Sequence, residues 1–246
     1  MAEIILRAKE IPSTGLEADC ISPDRFAGRS IKEIEDSEVY AGNQVEKLGK
    51  YFDVHGEKAD KSTEIKIVIE GDCFRVKRIG QAMTGGEILV KGNVGMHLGS
   101  GMRGGKITVN GNADSWVGME MKDGSIEIKG NARNFIGSAY RGNWKGMKFG
   151  EIIVHGDVGD NLGTCMLGGK ISIHGNAGQF LGFRMQGGEI IVDGNSGSRA
   201  GAEMEAGRIT IKGRVEEMLP SFKKEGNKYI GDLSENGKGE IYIEEG

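Results

Sequence analysis

Two histidines of this sequence stand at an interval that would suit a metal ion. His155 and His174 are nineteen residues apart, and histidine is a common zinc ligand. We expect the two to stack, because nineteen residues is also the period of the repeat described below. The equivalent positions of other repeats hold polar or charged residues, namely Lys91, Asn110, Lys129, Asp193 and Lys212. This composition indicates an outward, solvated column, so no metal-binding residue is predicted.

Two short segments partly match catalytic motifs. Residues 100–107 have the second glycine and the lysine of a phosphate-binding loop. The first glycine of that motif is missing, and Ile107 stands where a hydroxyl side chain should bind magnesium. Residues 194–198 differ from the Gly-x-Ser-x-Gly nucleophile elbow at the last position. The carboxylates fall mostly at outward strand positions. We therefore predict neither catalytic nor cofactor-binding residues on this chain.

Composition argues against several other classes of protein. The chain has 32 Lys and Arg residues against 36 Asp and Glu residues, a formal net charge of −4, whereas nucleic-acid binding needs a basic face. Three scattered cysteines, Cys20, Cys73 and Cys165, are too few for a disulfide framework and fit a reducing compartment. The first residues contain no long apolar stretch, so we expect no signal peptide, no membrane span and a cytoplasmic location.

Glycine is the unusual residue of this sequence. It contributes 43 of the 246 residues, whereas proline contributes three. One series of glycines recurs every nineteen residues, with two extra residues after its first member and seven extra after its fourth. The series is Gly71, Gly92, Gly111, Gly130, Gly156, Gly175, Gly194 and Gly213. We assign these glycines a structural role and expect them to supply positive φ at tight corners.

The elements between these glycines read as short strands. Each repeat alternates apolar and polar residues, as in Ile107/Val109 and Ile171/Ile173, which predicts a strand with one buried face. No segment between strands is long enough for a crossover helix. The sequence therefore predicts an all-β fold, a parallel β-helix of about seven to eight turns in which equivalent positions stack.

Other columns of the repeat are apolar. A second stack consists of Leu98, Val117, Ile136, Leu162, Leu181 and Ala200. A third consists of Met83, Met102, Met121, Met166, Met185 and Met204, with Tyr140 expected to fill the gap between Met121 and Met166. We interpret the methionines as a core ladder rather than a metal site. The residue after each of the first seven column glycines is Asn or Asp, which suit turns and can hydrogen-bond along the stack.

The repeat divides the chain into three predicted parts. Residues 61–225 are the β-helix. Residues 1–60 lack the repeat and are predicted to be an α+β cap or docking segment, with a strand over 3–6 and helices over 30–36 and 42–52. Residues 226–246 are predicted to close the other end as a β-hairpin. A solenoid needs such caps because its terminal strands are otherwise unpaired.

An insertion interrupts the fourth full repeat at residues 138–150. Insertions in solenoids form surface loops, often on a binding face, and Trp, Tyr and Arg are the residues that most often anchor interfaces. We therefore predict a partner-contacting surface. Its residues are Tyr140, Arg141, Trp144, Lys145 and Phe149.

The repeat unit Gly-Gly-x-Ile-x-Val-x-Gly-Asn resembles that of the C-terminal domain of the glutamate synthase large subunit, which implies a right-handed β-helix with a structural role. Three N-terminal segments, 21–31, 39–43 and 48–54, and the insertion at 140–147 resemble the C subunit of formylmethanofuran dehydrogenase. Together these motifs cover nearly the whole chain.

The resemblance implies a role in the first step of methanogenesis from CO2 in archaea. The enzyme is a ferredoxin-linked oxidoreductase that reduces CO2 and forms formylmethanofuran. Its molybdenum- or tungsten-pterin site, dinuclear metal site and iron–sulfur clusters lie on other subunits, which are the implied partners. This chain is then a non-catalytic scaffold subunit without cofactors. Two alternatives stay open: a stand-alone domain of a split glutamate synthase, and a carbonic-anhydrase-like trimer, for which the sequence lacks the hexapeptide period and histidine triad.

Overall fold

The computed structural model of the protein describes residues 1–244, so the last two residues of the predicted 226–246 hairpin lie outside the described residues. Seventeen strands, three short α-helices and two 3-10 turns make up the described part. The N-terminal strands are β1 (Ala2–Ala8), β2 (Leu16–Glu17), β3 (Glu38–Ala41), β4 (Gln44–Lys47) and β5 (Phe52–Gly56). The strands of the repeat region are β6 (Ile65–Glu70), β7 (Val76–Lys77), β8 (Glu87–Val90), β9 (Arg103–Val109), β10 (Asp123–Ile128), β11 (Glu151–Val154), β12 (Lys170–Ile173), β13 (Glu189–Val192) and β14 (Arg208–Ile211). The last strands are β15 (Lys223–Glu225), β16 (Lys228–Gly231) and β17 (Gly239–Ile243).

One large sheet dominates the molecule and confirms the predicted all-β class. Its thirteen strands lie in the order β15-β16-β17-β14-β13-β12-β11-β10-β9-β8-β6-β1-β5. From β6 to β14 every neighbouring pair is parallel, and residues at equivalent repeat positions face each other, as Ile107 faces Ile126. A second ladder of isolated parallel bridges joins equivalent positions elsewhere in the repeat, beginning with Cys73 to Val94 and Val94 to Ala113.

The core consists of the predicted apolar columns. The alternating Ile and Val residues of β8 to β14 are buried, as are all members of the Leu98–Ala200 stack and the six methionines. The prediction that Tyr140 fills the methionine gap is wrong: Met147 is fully buried there, and Tyr140 is 50% exposed. The Met147 N–H donates to Gly137 O at 2.9 Å, just as the Met121 N–H of the preceding turn donates to Gly118 O at 3.1 Å. Met147 therefore occupies the regular repeat position, and the seven extra residues are 140–146. The loop therefore leaves the repeat intact.

Asparagine side chains connect successive turns along one edge of the stack. Asn93 Oδ1 accepts the Asn112 N–H at 2.9 Å, and Asn112 Oδ1 accepts the Asn131 N–H at 2.8 Å. Asp157 serves the same purpose for the Asn176 N–H at 2.7 Å. These side chains satisfy backbone donors that would otherwise have no partner within the turn, in agreement with the predicted corner role.

The column positions are glycine because successive turns approach each other closely there, and not because the backbone has a positive φ. Of the eight, only Gly71 has a positive φ, +99°, so the predicted reason is wrong for the other seven. A Cβ on Gly111 would lie 2.6 Å from Asn93 Oδ1 and 2.7 Å from Gly92 O. Successive turns therefore approach too closely at this column for any side chain.

The N-terminal segment joins the large sheet. Strand β1 pairs parallel with β6 and antiparallel with β5. The predicted first helix is present as α2 (Ile31–Glu35), which Ser30 and Glu33 begin with a reciprocal capping box; a further helix, α1 (Pro23–Phe26), precedes it. The predicted helix over 42–52 is wrong. Gly42 has φ +63° and turns β3 into β4 as a hairpin, and only α3 (Leu48–Tyr51) is helical.

The C-terminal hairpin continues the ladder. Strand β16 pairs antiparallel with β17, and β17 pairs parallel with β14, so one strand of the hairpin takes the place of a further repeat strand. Strand β15 then pairs antiparallel with β16 at the edge of the sheet. No helix among residues 1–244 has the length and apolar character needed to cross a bilayer.

Candidate docking surface

The inserted loop 140–146 projects from the turn that contains Ala139 and Met147. Tyr140 is 50% exposed and Trp144 is 57% exposed, while Arg141 and Lys145 are also exposed. Phe149 lies just after the loop and is 57% exposed. Such large aromatic residues are seldom left in solvent. The five predicted interface residues are therefore all exposed, four of them in the loop and Phe149 just after it.

A carboxylate anchors the start of the loop to the preceding turn. Glu120 Oε1 accepts the Tyr140 N–H at 3.2 Å and the Asn143 Nδ2–H at 2.7 Å. The Tyr140 ring lies 5.7 Å from the Trp116 ring and 6.4 Å from the His97 ring. The first half of the loop therefore folds back over two earlier turns.

An arginine anchors the other half of the loop to a later turn. The Arg184 guanidinium lies 4.5 Å from the centroid of Trp144 and 5.0 Å from that of Phe183. Its Nε donates to Glu203 Oε2 at 2.6 Å. Cation–π contacts of this geometry stabilise the rings they cover. The exposed Trp144 is thus held in position, although most of its surface faces solvent.

Beneath Tyr140, three aromatic rings stack along the repeat. His97 stacks on Trp116 at 5.9 Å, and Trp116 stacks on Phe135 at 4.2 Å with an interplanar angle of 5°. All three have a left-handed backbone, with φ of +65°, +70° and +63°, which is uncommon for bulky residues. Burial lowers the pKa of His97, with the neighbouring Arg78 charge as a further cause. A neutral imidazole is therefore favoured in this stack.

The structure brings some predicted residues together and separates others. Tyr140 and Trp144 lie on opposite sides of the loop, toward Trp116 and Arg184 respectively, and Phe149 lies beyond its base under the Lys148 ammonium at 5.5 Å. Sequence analysis missed the anchors and the stack beneath the loop. The stack had a signal, because its three aromatic residues are nineteen apart. Arg184 and Glu203 had the same signal, because they are also nineteen apart and of opposite charge, whereas Glu120 had none beyond its charge.

The groups first considered for chemistry are engaged elsewhere. The His155 and His174 rings lie 5.0 Å apart, which confirms the predicted stacking. Each also contacts a carboxylate, Glu127 at 3.0 Å and Asp193 at 2.6 Å. Residues 1–244 contain no group of three or more His, Cys, Asp or Glu side chains placed to hold a metal ion. Burial raises the pKa of the Cys73 thiol to about 12.

Curated relatives carry one shared name. A protein from Methanococcus maripaludis is 58% identical over 147 residues, covering 60% of this chain and 53% of the relative. One from Methanothermobacter marburgensis is 57% identical over 98 residues, covering 40% of this chain and 36% of the relative. Both are named as the C subunit of tungsten-containing formylmethanofuran dehydrogenase 2. The resemblance to the C subunit of formylmethanofuran dehydrogenase is confirmed.

Further comparisons extend this resemblance. A relative from Methanosarcina barkeri is named as the C subunit of molybdenum-containing formylmethanofuran dehydrogenase 1. It is 43% identical over 98 residues, covering 40% of this chain and 33% of the relative. A similar chain occurs in the crystal structure of the formyltransferase/hydrolase complex of Methylorubrum extorquens with methylofuran. The two chains are 28% identical and superpose with a TM-score of 0.89 over 97% of this chain and 98% of the other. No protein-family profile matches the chain. The matches to these three curated relatives span between a third and about half of the relatives' own length.

Proposed function

We propose that this chain is a non-catalytic structural subunit of a formylmethanofuran dehydrogenase, the complex that reduces CO2 and forms formylmethanofuran. The relatives' shared name supports the choice of enzyme. The observation that carries the structural role is the exposed loop 140–146, held rigid between Glu120 and Arg184. A pre-positioned aromatic surface associates at a lower entropic cost than a mobile one.

The polar residues of the chain support a structural rather than a catalytic role. Asn and Asp side chains bond backbone donors between turns, and the histidine pair bonds exposed carboxylates. The Cys20 and Cys73 thiols have pKa values raised to about 12, mainly by burial, which leaves little reactive thiolate near neutral pH. Neither thiol is therefore poised to act as a nucleophile.

The fold we propose is a right-handed parallel β-helix of about seven to eight turns. Parallel pairing of equivalent positions and the second bridge ladder support it, since both require the chain to return to the same place once per repeat. Residues 61–225 form this helix, with a cap over 1–60 and a closing hairpin over 226–246. Such a stack is a rigid wall on which other chains can be positioned.

The partners we propose are the other subunits of the enzyme. The molybdenum- or tungsten-pterin, the dinuclear metal site and the iron–sulfur clusters would be bound by those subunits. Relatives of this chain are named for both metals, so their names leave the choice of metal open. The cytoplasmic location stays a prediction.

Co-purification tests the proposal. The tagged chain, expressed in its source cells, should retain an amidohydrolase-like subunit together with pterin-bound molybdenum or tungsten. Replacing Arg141 and Trp144 by alanine should release these partners without unfolding the chain, since both side chains are exposed. Flavin-containing glutamate synthase partners, or no partner at all, would contradict the proposed function. Undiminished co-purification of the double variant would contradict the role of the loop.

A further inference from the structure

A column of three cations lies beside the inserted loop. Arg103, Lys122 and Lys148 occupy the same position in successive turns, because their N–H groups donate to Met83, Met102 and Met121 carbonyls at 2.8, 2.7 and 2.8 Å. Neighbouring parallel strands are about 4.8 Å apart. All three side chains are exposed. The column ends at the next turn, where Leu167 takes the equivalent place.

These cations lack the ion pairs that other basic residues of the chain form. Nearby, Lys129 bonds Glu127, Arg133 lies 3.7 Å from Asp114, and Arg184 bonds Glu203. Within residues 1–244, no carboxylate lies within 4.0 Å of the Arg103, Lys122 or Lys148 side chain, or of the loop cations Arg141 and Lys145. Arg141 and Lys145 lie in the loop that ends two residues before Lys148, and we call these five residues the cation patch.

The acidic residues nearest the cation patch already have other bonds. Asp123 directly follows Lys122, but its Oδ1 accepts the Gly124 N–H at 2.8 Å. Glu120 holds the loop through Tyr140 and Asn143. The five cations outnumber these two carboxylates, on a chain whose formal net charge is −4. Unpaired charges of one sign attract a surface of the opposite sign.

An exposed aromatic residue directly follows Lys148 in the sequence. Phe149 is 57% exposed and lies 5.5 Å from the Lys148 ammonium. An exposed aromatic ring beside a cation without an ion pair combines the two features that interfaces use, an apolar anchor and a charged rim. Both suit a surface that a partner covers.

We propose that the cation patch and Phe149 bind an acidic segment of a partner subunit, whose carboxylates pair with Arg103, Lys122 and Lys148. This inference rests on the proposed function and adds the chemistry of the partner. Charge complementarity favours this occupant. A nucleic acid is disfavoured, because its affinity depends on many phosphate contacts along a basic face, whereas five cations here adjoin an acidic remainder.

A charge-reversal variant tests the inference. Arg103→Glu, Lys122→Glu and Lys148→Glu are combined and compared with a matched control in which Glu replaces three other exposed cations without ion pairs. The control positions are Arg75, Arg214 and Lys238. Binding to the purified partner subunits is measured between about 0.05 M and 0.5 M salt, where exposed charges become screened.

We expect the triple variant to bind at least about tenfold more weakly than the wild type at low salt, mainly through slower association, and to lose most of the salt dependence. The control should bind like the wild type. Equal binding of the triple variant and the wild type would overturn the inference but leave the proposed function intact. Failure of the wild type to bind the subunits would contradict the proposed function itself.

Carbodiimide cross-linking of the assembled wild-type complex gives a readout that does not depend on variant folding. Lys122, Lys145 and Lys148 should become linked to Asp or Glu residues of a partner subunit. Lysines that stay uncoupled and open to acetylation in the complex would overturn the inference. A second pair of results would also overturn the inference: the wild type binds duplex DNA or anionic lipid vesicles and the triple variant does not, while both proteins assemble equally well with the partner subunits.

Discussion

The Arg184 guanidinium lies 4.5 Å from the Trp144 ring and bonds Glu203 at 2.6 Å, and it thereby ties the inserted loop to two later turns of the repeat. Glu120 ties the other half to an earlier turn. The loop is therefore a braced part of the scaffold, although its main aromatic side chains point to solvent. This combination of exposure and rigidity is the physical basis for a docking role.

The Trp144–Arg184 contact should be measurable as a coupling energy. We expect the free-energy changes of Trp144→Ala and Arg184→Ala on urea unfolding to be non-additive by about 0.5–1 kcal/mol, as for other partly exposed cation–π pairs. Phe149→Ala serves as control and should be additive with Arg184→Ala. Strict additivity of the first pair would mean that the contact does not brace the loop.

The close approach of turns at the glycine column predicts a large cost for a single methyl group. Gly111→Ala would place a Cβ within 2.7 Å of Gly92 O, and we expect a loss of about 2–3 kcal/mol in the free energy of unfolding, as for other overpacked sites. Gly142→Ala is the matched control, because its positive φ is strained but no atom of the described residues lies within 4 Å of the added Cβ. It should cost about 1 kcal/mol. Similar losses for both would mean that close approach does not set the requirement at Gly111.

The asparagine ladder should tolerate aspartate but not alanine. Asn112→Ala removes the acceptor of the Asn131 N–H, and we expect a loss of about 1 kcal/mol in the free energy of unfolding. Asn112→Asp keeps an oxygen at the same place, as Asp157 does naturally for Asn176. Thermal unfolding of the three proteins at neutral pH compares them. An aspartate variant as unstable as the alanine variant would contradict this explanation.

The lowered pKa of His97 predicts a pH dependence of stability. Burial favours the neutral ring in the folded protein. The unfolded chain therefore binds more protons than the folded protein once the pH falls below about 6.5, the ordinary pKa of histidine. His97 should therefore make the folded protein less stable as the pH falls from about 6.5 toward the lowered pKa of its own ring in the folded protein. His97→Phe retains the stack on Trp116 and should flatten this part of the profile. An identical pH profile of unfolding temperature in both proteins would exclude the effect.

Much of the fold follows from the nineteen-residue period, because repeats that bury the same positions must stack. The period correctly predicted the parallel strands and the buried columns around Leu98. It misplaced Tyr140 and missed Met147, because seven extra residues can be aligned in more than one way until backbone hydrogen bonds fix where the loop begins. The helix predicted over 42–52 failed for a different reason: Gly42 makes a hairpin turn, and Val45 is 58% exposed on its edge strand.

The docking surface was predicted in part. Residue type and insertion indicated Trp144 and Arg141, since both lie in the inserted segment and both residue types are common in interfaces. The residues that brace the loop lie about twenty to sixty positions away in the chain, and only the stacking of turns brings Glu120, Arg184 and Glu203 to it. Such contacts depend on three-dimensional register, which the local sequence does not contain.

Excision of the loop tests the central claim most directly. Deleting 140–146 joins Ala139 to Met147 and restores the nineteen-residue interval, and the Met147 hydrogen bond to Gly137 is already that of an uninterrupted turn. We expect the shortened chain to fold with an unfolding temperature within a few degrees of the wild type, but to lose stable association with the other subunits of the complex. A folded, shortened chain that assembles with wild-type affinity would contradict the docking role of this loop.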